Sequence, residues 1–191
     1  MAVFQKFYHM AGRNFSDINT ALIALLPKRI DASEISHYRR ISLIHSVAKL
    51  ISKVLALRLS AALDGVISPA QTAFQRGKCI HDSFQYVRGC VRMLHKEKKQ
   101  ALPFKLDFAR AFDSVSWESL YRILQAKGFS ETWIRWIMML NDSDQSAILL
   151  NDVPGNWIQC KNGLRQGDPI SPYLFIIIAD ILQRMILEAS T

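Results

Sequence analysis

An acidic residue near the middle of the chain is the first candidate for chemistry. Apolar side chains alternate with others over residues 102–108, and Asp107 falls at the end of this strand pattern, on its polar face. A carboxylate there suits a hard divalent cation such as Mg²⁺, which takes carboxylate and phosphate oxygens. One carboxylate is not a metal site, and Asp113 either adds a ligand or only begins the next turn. Spacing alone favours the simpler alternative, an exposed Asp satisfied by backbone amides.

A loop with the sequence GLRQGDPISP, at residues 163–172, is the second candidate. Gln166 offers both a hydrogen-bond donor and an acceptor, and Gly167 allows the backbone to approach a flat or charged ligand closely. The alternative is a stiff structural turn, which would explain the two prolines. It does not explain an Arg-Gln pair between two glycines, so ligand binding stays a hypothesis for this loop.

Basic residues form two further groups. The first group brackets one polar loop and could clamp a triphosphate or a backbone phosphate; its members are Lys28, Arg29, Arg39 and Arg40. In the second group, Arg76 and Lys78 lie close to Phe74, and an aromatic ring beside cations suits single-stranded or hybrid nucleic acid. For both groups the alternative is solvated surface.

The distribution of charge predicts a polyanionic partner. The chain has 191 residues and a formal net charge of +8, with 16 Lys/Arg against 6 Asp/Glu in residues 1–100 and 8 against 10 in residues 101–191. A basic half favours nucleic acid or an anionic membrane. Basic helix faces exposed to solvent would give the same charge, so this alternative stays open.

The cysteines and the apolar runs exclude several classes of protein. Cys79, Cys90 and Cys160 include no CxxC pair, which argues against a disulfide scaffold and a zinc module. The chain has no signal-peptide pattern and no apolar run long enough to cross a bilayer. We therefore expect an intracellular protein of the nucleus or cytoplasm that is not secreted and does not bind membrane.

The elements that position these residues form an α+β pattern. Strands are predicted at 21–26 and 102–108, and a hairpin at 146–150 with 157–160. Helices are predicted at 42–63, 82–99, 116–127, 130–140 and 171–188, with Ser116 and Ser130 as N-caps of two of them. Asp180 lies inside the last apolar helix, where we expect it to be paired rather than catalytic.

Five segments in combination are far more specific than any one of them. In order they read ALIALLPK, YRRISLIHSVAKLISKVLALRL, ISPAQTAFQRGKCIHDSF, FKLDFARAFDSVSW and GLRQGDPISPYLF, within residues 20–189. This series resembles the reverse transcriptase of non-LTR (LINE-type) retrotransposons, in particular those of plant genomes. The resemblance implies a right-hand polymerase. Residues 1–19 would be an N-terminal extension, residues 20–100 a fingers-like basic region, and residues 101–191 part of the palm with intervening fingers helices.

The resemblance also implies a metal-dependent active site. In such enzymes the Asp that matches Asp107 coordinates both catalytic Mg²⁺ ions, and the carbonyl that matches Phe108 often joins it. The implied reaction is an in-line displacement in which one ion activates the primer 3′-hydroxyl and the other stabilises the leaving pyrophosphate. The implied partners are an RNA template, a DNA primer and a deoxynucleoside triphosphate.

Other residues match the nucleotide pocket of that family. Phe112 matches the aromatic steric gate that rejects ribonucleotides by their 2′-hydroxyl. Gln166 and Gly167 match the pocket beneath the incoming nucleotide and the template base. Lys28 and Arg39 resemble the fingers cations that grip the triphosphate.

Two departures from the family pattern shape the expectation. Arg40 stands where the family normally has Pro, which leaves the local loop geometry open. The family's Ala-Asp-Asp hairpin and thumb would follow the last helix, and residues 1–191 do not include them; Ala179 and Asp180 do not form that hairpin. We therefore expect a fragment that is inactive by itself, with at best weak Mg²⁺ binding and an exposed sheet edge. The alternatives are a non-catalytic nucleic-acid-binding remnant and a functionless relic.

Overall fold

The computed structural model describes residues 2–9, 15–75, 77–102 and 104–189 and has a mixed helix and sheet fold. The helices are α1 (Ala2–Tyr8), α2 (Phe15–Ile18), α3 (Ser46–Ala62), α4 (Ile80–Lys96), α5 (Trp117–Ala126), α6 (Glu131–Asp142) and α7 (Ser171–Ala189). The strands are β1 (Thr20–Pro27), β2 (Tyr38–Ile44), β3 (Gln145–Leu150), β4 (Val153–Pro154) and β5 (Ile158–Gln159). Short 3₁₀ helices lie at Ile35–His37 and Leu63–Gly65. The expected mixture of helices and strands is confirmed.

The sheet is built around β1, whose apolar run ALIALL is a strand as predicted. β1 pairs antiparallel with β2 and parallel with β3, and β3 also carries the short antiparallel strands β4 and β5. The predicted hairpin is confirmed by the pairing of Ser146 with Ile158. β4 lies inside the connection of this hairpin and was not predicted.

β2 covers residues that were predicted to be the end of a loop and the start of a helix. Residues 38–44 pair one by one with β1, and Ser42 lies opposite Ile23. The prediction of a helix from Ser42 was therefore wrong by four residues, because α3 begins at Ser46, with His45 as its N-cap. Apolar spacing in this stretch suits both a strand and a helix, and only the neighbouring strand β1 decides between them.

The hydrophobic core lies where α3, α5, α6 and α7 pack together. Its most deeply buried apolar members are Ile51, Leu59, Leu63, Leu120, Leu124, Ile137, Leu174 and Ile177. α5 and α6 begin at the predicted N-caps, since the Ser116 and Ser130 hydroxyls accept hydrogen bonds from backbone N–H groups in the first turn of each helix. The pattern of apolar residues thus predicted this half of the fold well.

The N-terminal helices pack onto the same core. The rings of Phe7 and Phe15 lie 5.3 Å apart, and the ring of Phe7 lies 6.3 Å from that of Trp136 in α6. Both phenylalanines are buried. α1 therefore contacts α6, and α2 packs against α1 as part of the same core.

The segment that carries Asp107 is not a strand. The prediction of a strand at 102–108 is wrong for the described residues 102 and 104–108, which pair with no described strand. Their apolar side chains are exposed, and Phe104 is 80% exposed. Alternation creates an apolar face, but a strand also needs a neighbour for its N–H and C=O groups. No described strand supplies that neighbour.

α4 has no buried residue along its length, all of which the structure describes. It ends three residues before the predicted end at 99. Its predicted apolar stripe is present, but Phe84, Val87 and Val91 are exposed. None of the helices in the described part of the chain is both long enough and apolar enough to cross a membrane.

Candidate functional site

Backbone hydrogen bonds join two segments that lie far apart in the sequence, the turn at 110–116 and the loop at 163–168. The Gly163 N–H donates to the Val115 carbonyl over 2.7 Å, and the Leu164 N–H donates to the Phe112 carbonyl over 2.8 Å. Gly163 has a φ of +86°, and a Cβ atom there would lie 3.1 Å from the Asp113 carbonyl oxygen. This close approach therefore requires glycine at position 163.

β2 holds the other side of the same loop. The Ser42 N–H donates to the Gln166 carbonyl over 3.0 Å. Gly167 has a φ of +103°, and a Cβ atom there would lie 3.3 Å from the Ser42 carbonyl oxygen. Arg40, two residues before Ser42, forms an ion pair with Asp113 of the turn. The turn, the loop and β2 thus meet in one place.

Phe112 packs against α7. Its ring stacks on that of Phe175, with centroids 5.1 Å apart and an angle of 20° between the planes. The ring of Phe108 meets the same Phe175 ring edge-on at 6.4 Å. Because Asp107 directly precedes Phe108, this contact brings the Asp107 segment towards the Phe112 turn. The Asp107 residue itself is exposed.

The described residues around Asp107 do not fit a Mg²⁺ site. In the part of the chain that the structure describes, no three His, Cys, Asp or Glu side chains lie close enough together to hold a metal ion. Asp113, the second acid that the sequence suggested, is paired with Arg40. Mg²⁺ requires a full set of oxygen ligands, of which carboxylates supply one or two and substrate phosphates others. Asp107 and the Phe108 carbonyl alone fall short of such a set.

The register of β1 and β2 separates the predicted cations into two sets. Arg39 lies opposite Leu26, and the Lys28 N–H donates to the His37 carbonyl over 2.8 Å. Residues that lie opposite each other in an antiparallel pair share a face, so Lys28 and Arg39 belong to the same face. Arg40 falls on the other face, because side chains alternate along a strand. Arg40 therefore makes its ion pair with Asp113 from the face of the hairpin opposite to Lys28 and Arg39.

Other predicted cations have partners within the protein. The Lys28 ammonium donates to the Ser36 carbonyl over 2.9 Å. The Lys78 ammonium donates to two carbonyls within residues 69–71, over 3.0 and 2.9 Å. Arg76, its predicted companion, lies outside the described residues. Lys78 thus stabilises its own loop, and its contact with nucleic acid stays a prediction.

Arg165 has a structural role that the sequence did not predict. Its side chain is 8% exposed and forms an ion pair with Asp144, which is buried to the same degree. Two guanidinium nitrogens also donate to the side-chain oxygen and the carbonyl of Asn19, over 2.7 and 2.6 Å. This network fixes the backbone immediately before Gln166. The available signal was an Arg between glycines, but its acidic partner lies 21 residues earlier, and no local pattern connects the two.

Asp168 anchors the end of the same loop to α3. The Ser52 hydroxyl donates to its carboxylate, and the Ile170 N–H donates to it over 3.3 Å. Burial raises the pKa of Asp168 above its usual range, because desolvation outweighs these hydrogen bonds. The loop that contains Gln166 and Gly167 is therefore held at both ends.

Asp180 is paired, as predicted. Its carboxylate is fully buried and accepts hydrogen bonds from the Lys127 ammonium over 2.7 Å, the Arg184 guanidinium over 2.9 Å and the Ser68 N–H over 2.7 Å. Burial alone would raise the pKa of Asp180, but these donors outweigh it and hold the pKa below its usual range. The group fastens α7 to the end of α5.

Comparison with known proteins defines the family. The family model for reverse transcriptase (RNA-dependent DNA polymerase) matches residues 26–190. The chain belongs to the reverse transcriptase family.

Its relatives come from retrotransposable elements. The Pol polyprotein of the type-1 element R2 from Popillia japonica is 30% identical over 83% of this chain, and that of the type-2 element R2DM from Drosophila melanogaster is 26% identical over 87%. The 149 kDa protein of transposon TX1 from Xenopus laevis is 27% identical over 90%. The predicted non-LTR type is confirmed, and the resemblance to plant elements stays a prediction. The chain spans 14% to 22% of the length of these relatives.

Proposed function

We propose that this chain forms the nucleotide-facing part of a LINE-type reverse transcriptase, made of fingers and part of the palm. The intact enzyme would use an RNA template, a DNA primer and deoxynucleoside triphosphates. The proposal rests on the contact of three segments that lie far apart in the sequence. They are β2, the turn at 110–116 that contains Phe112, and the loop at 163–168 that contains Gln166. Family membership makes this convergence the best candidate for the nucleotide pocket.

Each residue of the pocket receives a role from its chemistry. The Phe112 ring, fixed on Phe175, presents a flat apolar wall that a 2′-hydroxyl would meet. Gln166 has its carbonyl engaged by Ser42, which leaves the side-chain amide for a base or sugar. Gly167 keeps the backbone bare beside that amide. Lys28 and Arg39 lie on the face of the β1–β2 hairpin opposite to the one that contacts the Phe112 turn, so their contact with a triphosphate stays a prediction from the family pattern.

Residues 1–191 carry no metal-dependent step in this proposed function. Asp107 and the Phe108 carbonyl are the groups that the family pattern offers, and the described residues do not complete a ligand set around them. We therefore propose that residues 1–191 bind nucleotide and nucleic acid but do not extend a primer. Polymerisation is assigned to a longer polypeptide of the same family.

Calorimetric titration of the chain with dTTP and with 5-methyl-UTP, which differ only at the 2′ position, in the presence of a primer–template, tests the pocket. We expect dTTP to bind more tightly than 5-methyl-UTP, and Phe112→Val to reduce that difference. Loss of one hydrogen bond in Gln166→Ala should raise the Kd for dTTP by about 2- to 10-fold. Primer extension, measured on the same samples, should be absent.

Two matched variants control for general effects. Phe104→Val removes an exposed ring outside the pocket, and Gln125→Ala removes an exposed amide on α5. Both should leave the two Kd values unchanged. Equal affinity of the unmodified chain for dTTP and 5-methyl-UTP, or no binding of either, would contradict the proposal.

A further inference from the structure

The cations of α4 lie along one flank of its apolar stripe. Arg88, Arg92 and Lys96 follow one another at intervals of four residues, so that successive side chains stand about 6 Å apart along the helix axis. Phe84 and Val91 belong to the neighbouring apolar stripe. We call the set Arg88, Arg92 and Lys96 the basic flank of α4.

The basic flank is available to a ligand. All three side chains are exposed, and within the described residues none of them has an acidic side chain at ion-pairing distance or a side-chain hydrogen bond. The lysine that follows the helix differs, because Lys99 pairs with Glu97 over 2.8 Å. Three unneutralised charges in one row form a surface suited to a polyanion with regularly spaced charges.

Gly89 leaves open space beside this row. It lies three residues before Arg92 and four after Gln85, hence on the border of the basic flank. A Cβ atom at Gly89 would meet no other atom within 4 Å, so packing does not require a glycine there. Glycine also weakens a helix interior. The glycine at position 89 therefore lowers helix stability without serving packing. The close approach of a ligand backbone to the helix at this point would explain it.

The opposite flank of the apolar stripe has a different composition. Ser83, Tyr86 and Cys90 lie there, and it carries no Lys or Arg. A helix that lies in a membrane surface is typically rich in Lys and Arg over its whole polar face. Cations on one flank only are better suited to a single chain of phosphates running along that side.

We infer that the basic flank of α4 binds the sugar-phosphate backbone of one nucleic-acid strand, outside the nucleotide pocket. The inference rests on the proposed function, which makes nucleic acid the available polyanion. Phosphate contacts of this kind carry little sequence preference, and their affinity falls with salt as counterions are released.

Fluorescence anisotropy of a labelled oligouridylate, titrated with the full chain at several salt concentrations, tests the inference. For a single strand the slope of log affinity against log salt changes by about 0.7 per phosphate contact, so Arg88→Gln with Arg92→Gln should reduce the slope by about 1.4. The matched control is Lys49→Gln with Lys53→Gln on α3. It removes the same charge at the same spacing and should leave the slope unchanged.

A variant of Gly89 gives a second, independent readout. Gly89→Gln should raise the midpoint of thermal unfolding, because glutamine is a better helix former, and should raise the Kd for the oligouridylate because its side chain fills the open space. Cys90→Gln, on the side of the helix away from Arg88 and Arg92, should leave the Kd unchanged. Tighter or unchanged RNA binding by Gly89→Gln would overturn the inference.

The remaining outcomes separate this inference from the proposed function. If dTTP binds as expected but the salt slope is the same in the Arg88/Arg92 variant, the inference alone is wrong. If the unmodified chain binds neither dTTP nor RNA, both fail. An equal loss of slope in the α3 control, or binding to phosphatidylserine vesicles without binding to RNA, would also overturn the role of α4.

Discussion

α4 and α5 are both amphipathic helices, yet only α5 is packed. α5 buries Trp117, Leu120 and Leu124 against α6 and α7, whereas α4 buries none of its residues, all of them described. The apolar stripe of α4 is as regular as that of α5. An apolar stripe therefore determines which side of a helix can be buried, while burial itself depends on which other parts of the chain pack against it.

The same contrast holds for the helix ends and for the acids nearby. α5 and α6 have serine N-caps that accept hydrogen bonds, whereas Cys79 at the start of α4 makes no capping bond. The acid of α7, Asp180, has three donors around it, and Asp107 next to the exposed segment is open to solvent. The region of α5, α6 and α7 thus has capped helices and a paired buried acid. α4, by contrast, lacks a capping bond, and Asp107 is exposed.

Removal of the buried acid should have the largest effect. Asp180→Ala leaves the Lys127 ammonium buried without its partner and should lower the free energy of unfolding by about 3–5 kcal/mol. Chemical denaturation measures this loss. Glu118→Ala, which breaks the exposed pair with Arg122, is the control and should cost less than about 1 kcal/mol. Similar costs for the two variants would contradict the distinction between a buried and an exposed ion pair.

The Asp180 pair should also give stability a defined dependence on pH. Because the folded-state pKa of Asp180 lies below its unfolded value, the contribution is complete above the ordinary Asp value of about 3.9 and is lost as pH falls through the folded-state pKa. The raised pKa of Asp168 makes stability change with pH in the opposite direction. This contribution is present in both proteins, so it cancels when Asp180→Asn is compared with the unmodified chain. A difference that does not shrink in acid would contradict this assignment.

Truncation of one apolar side chain in each helix compares the regions directly. Leu124→Ala in α5 should lower the free energy of unfolding by about 2–5 kcal/mol, because it leaves a cavity in the core. Phe84→Ala in α4, where the ring is 67% exposed, should cost less than about 0.5 kcal/mol. Urea denaturation of both variants measures the two values. A large cost for Phe84→Ala would mean that α4 is packed in solution.

Changes at the helix N-caps should give the smallest effects, with opposite signs. Ser130→Ala removes the cap of α6 and should cost about 1 kcal/mol. Cys79→Ser introduces a hydroxyl at an N-cap with extended backbone and should raise the stability of α4 by up to about 1 kcal/mol. Amide hydrogen exchange in the first turn of each helix resolves the two changes. Slower exchange in α6 of Ser130→Ala, or faster exchange in α4 of Cys79→Ser, would contradict the prediction.

Features that depend on neighbours along the chain could be predicted from the sequence. Apolar spacing located β1, the β3–β5 hairpin and α5 to α7, and serine residues marked two helix starts. The isolation of Asp180 in an apolar helix was enough to predict its pairing. The order of the five motifs was enough to assign the family, since such motifs are local strings.

Tertiary structure alone decided the features that depend on distant partners. β2 exists because β1 offers a strand to pair with, and the described residues 102 and 104–108 are not a strand because no described strand pairs with them. The Arg165–Asp144 and Arg40–Asp113 pairs join positions that no periodicity connects, yet they hold the loop and turn of the candidate pocket. Local sequence sets which groups can form hydrogen bonds and which faces are apolar. These groups stabilise the fold only when another part of the chain bonds to them or covers them.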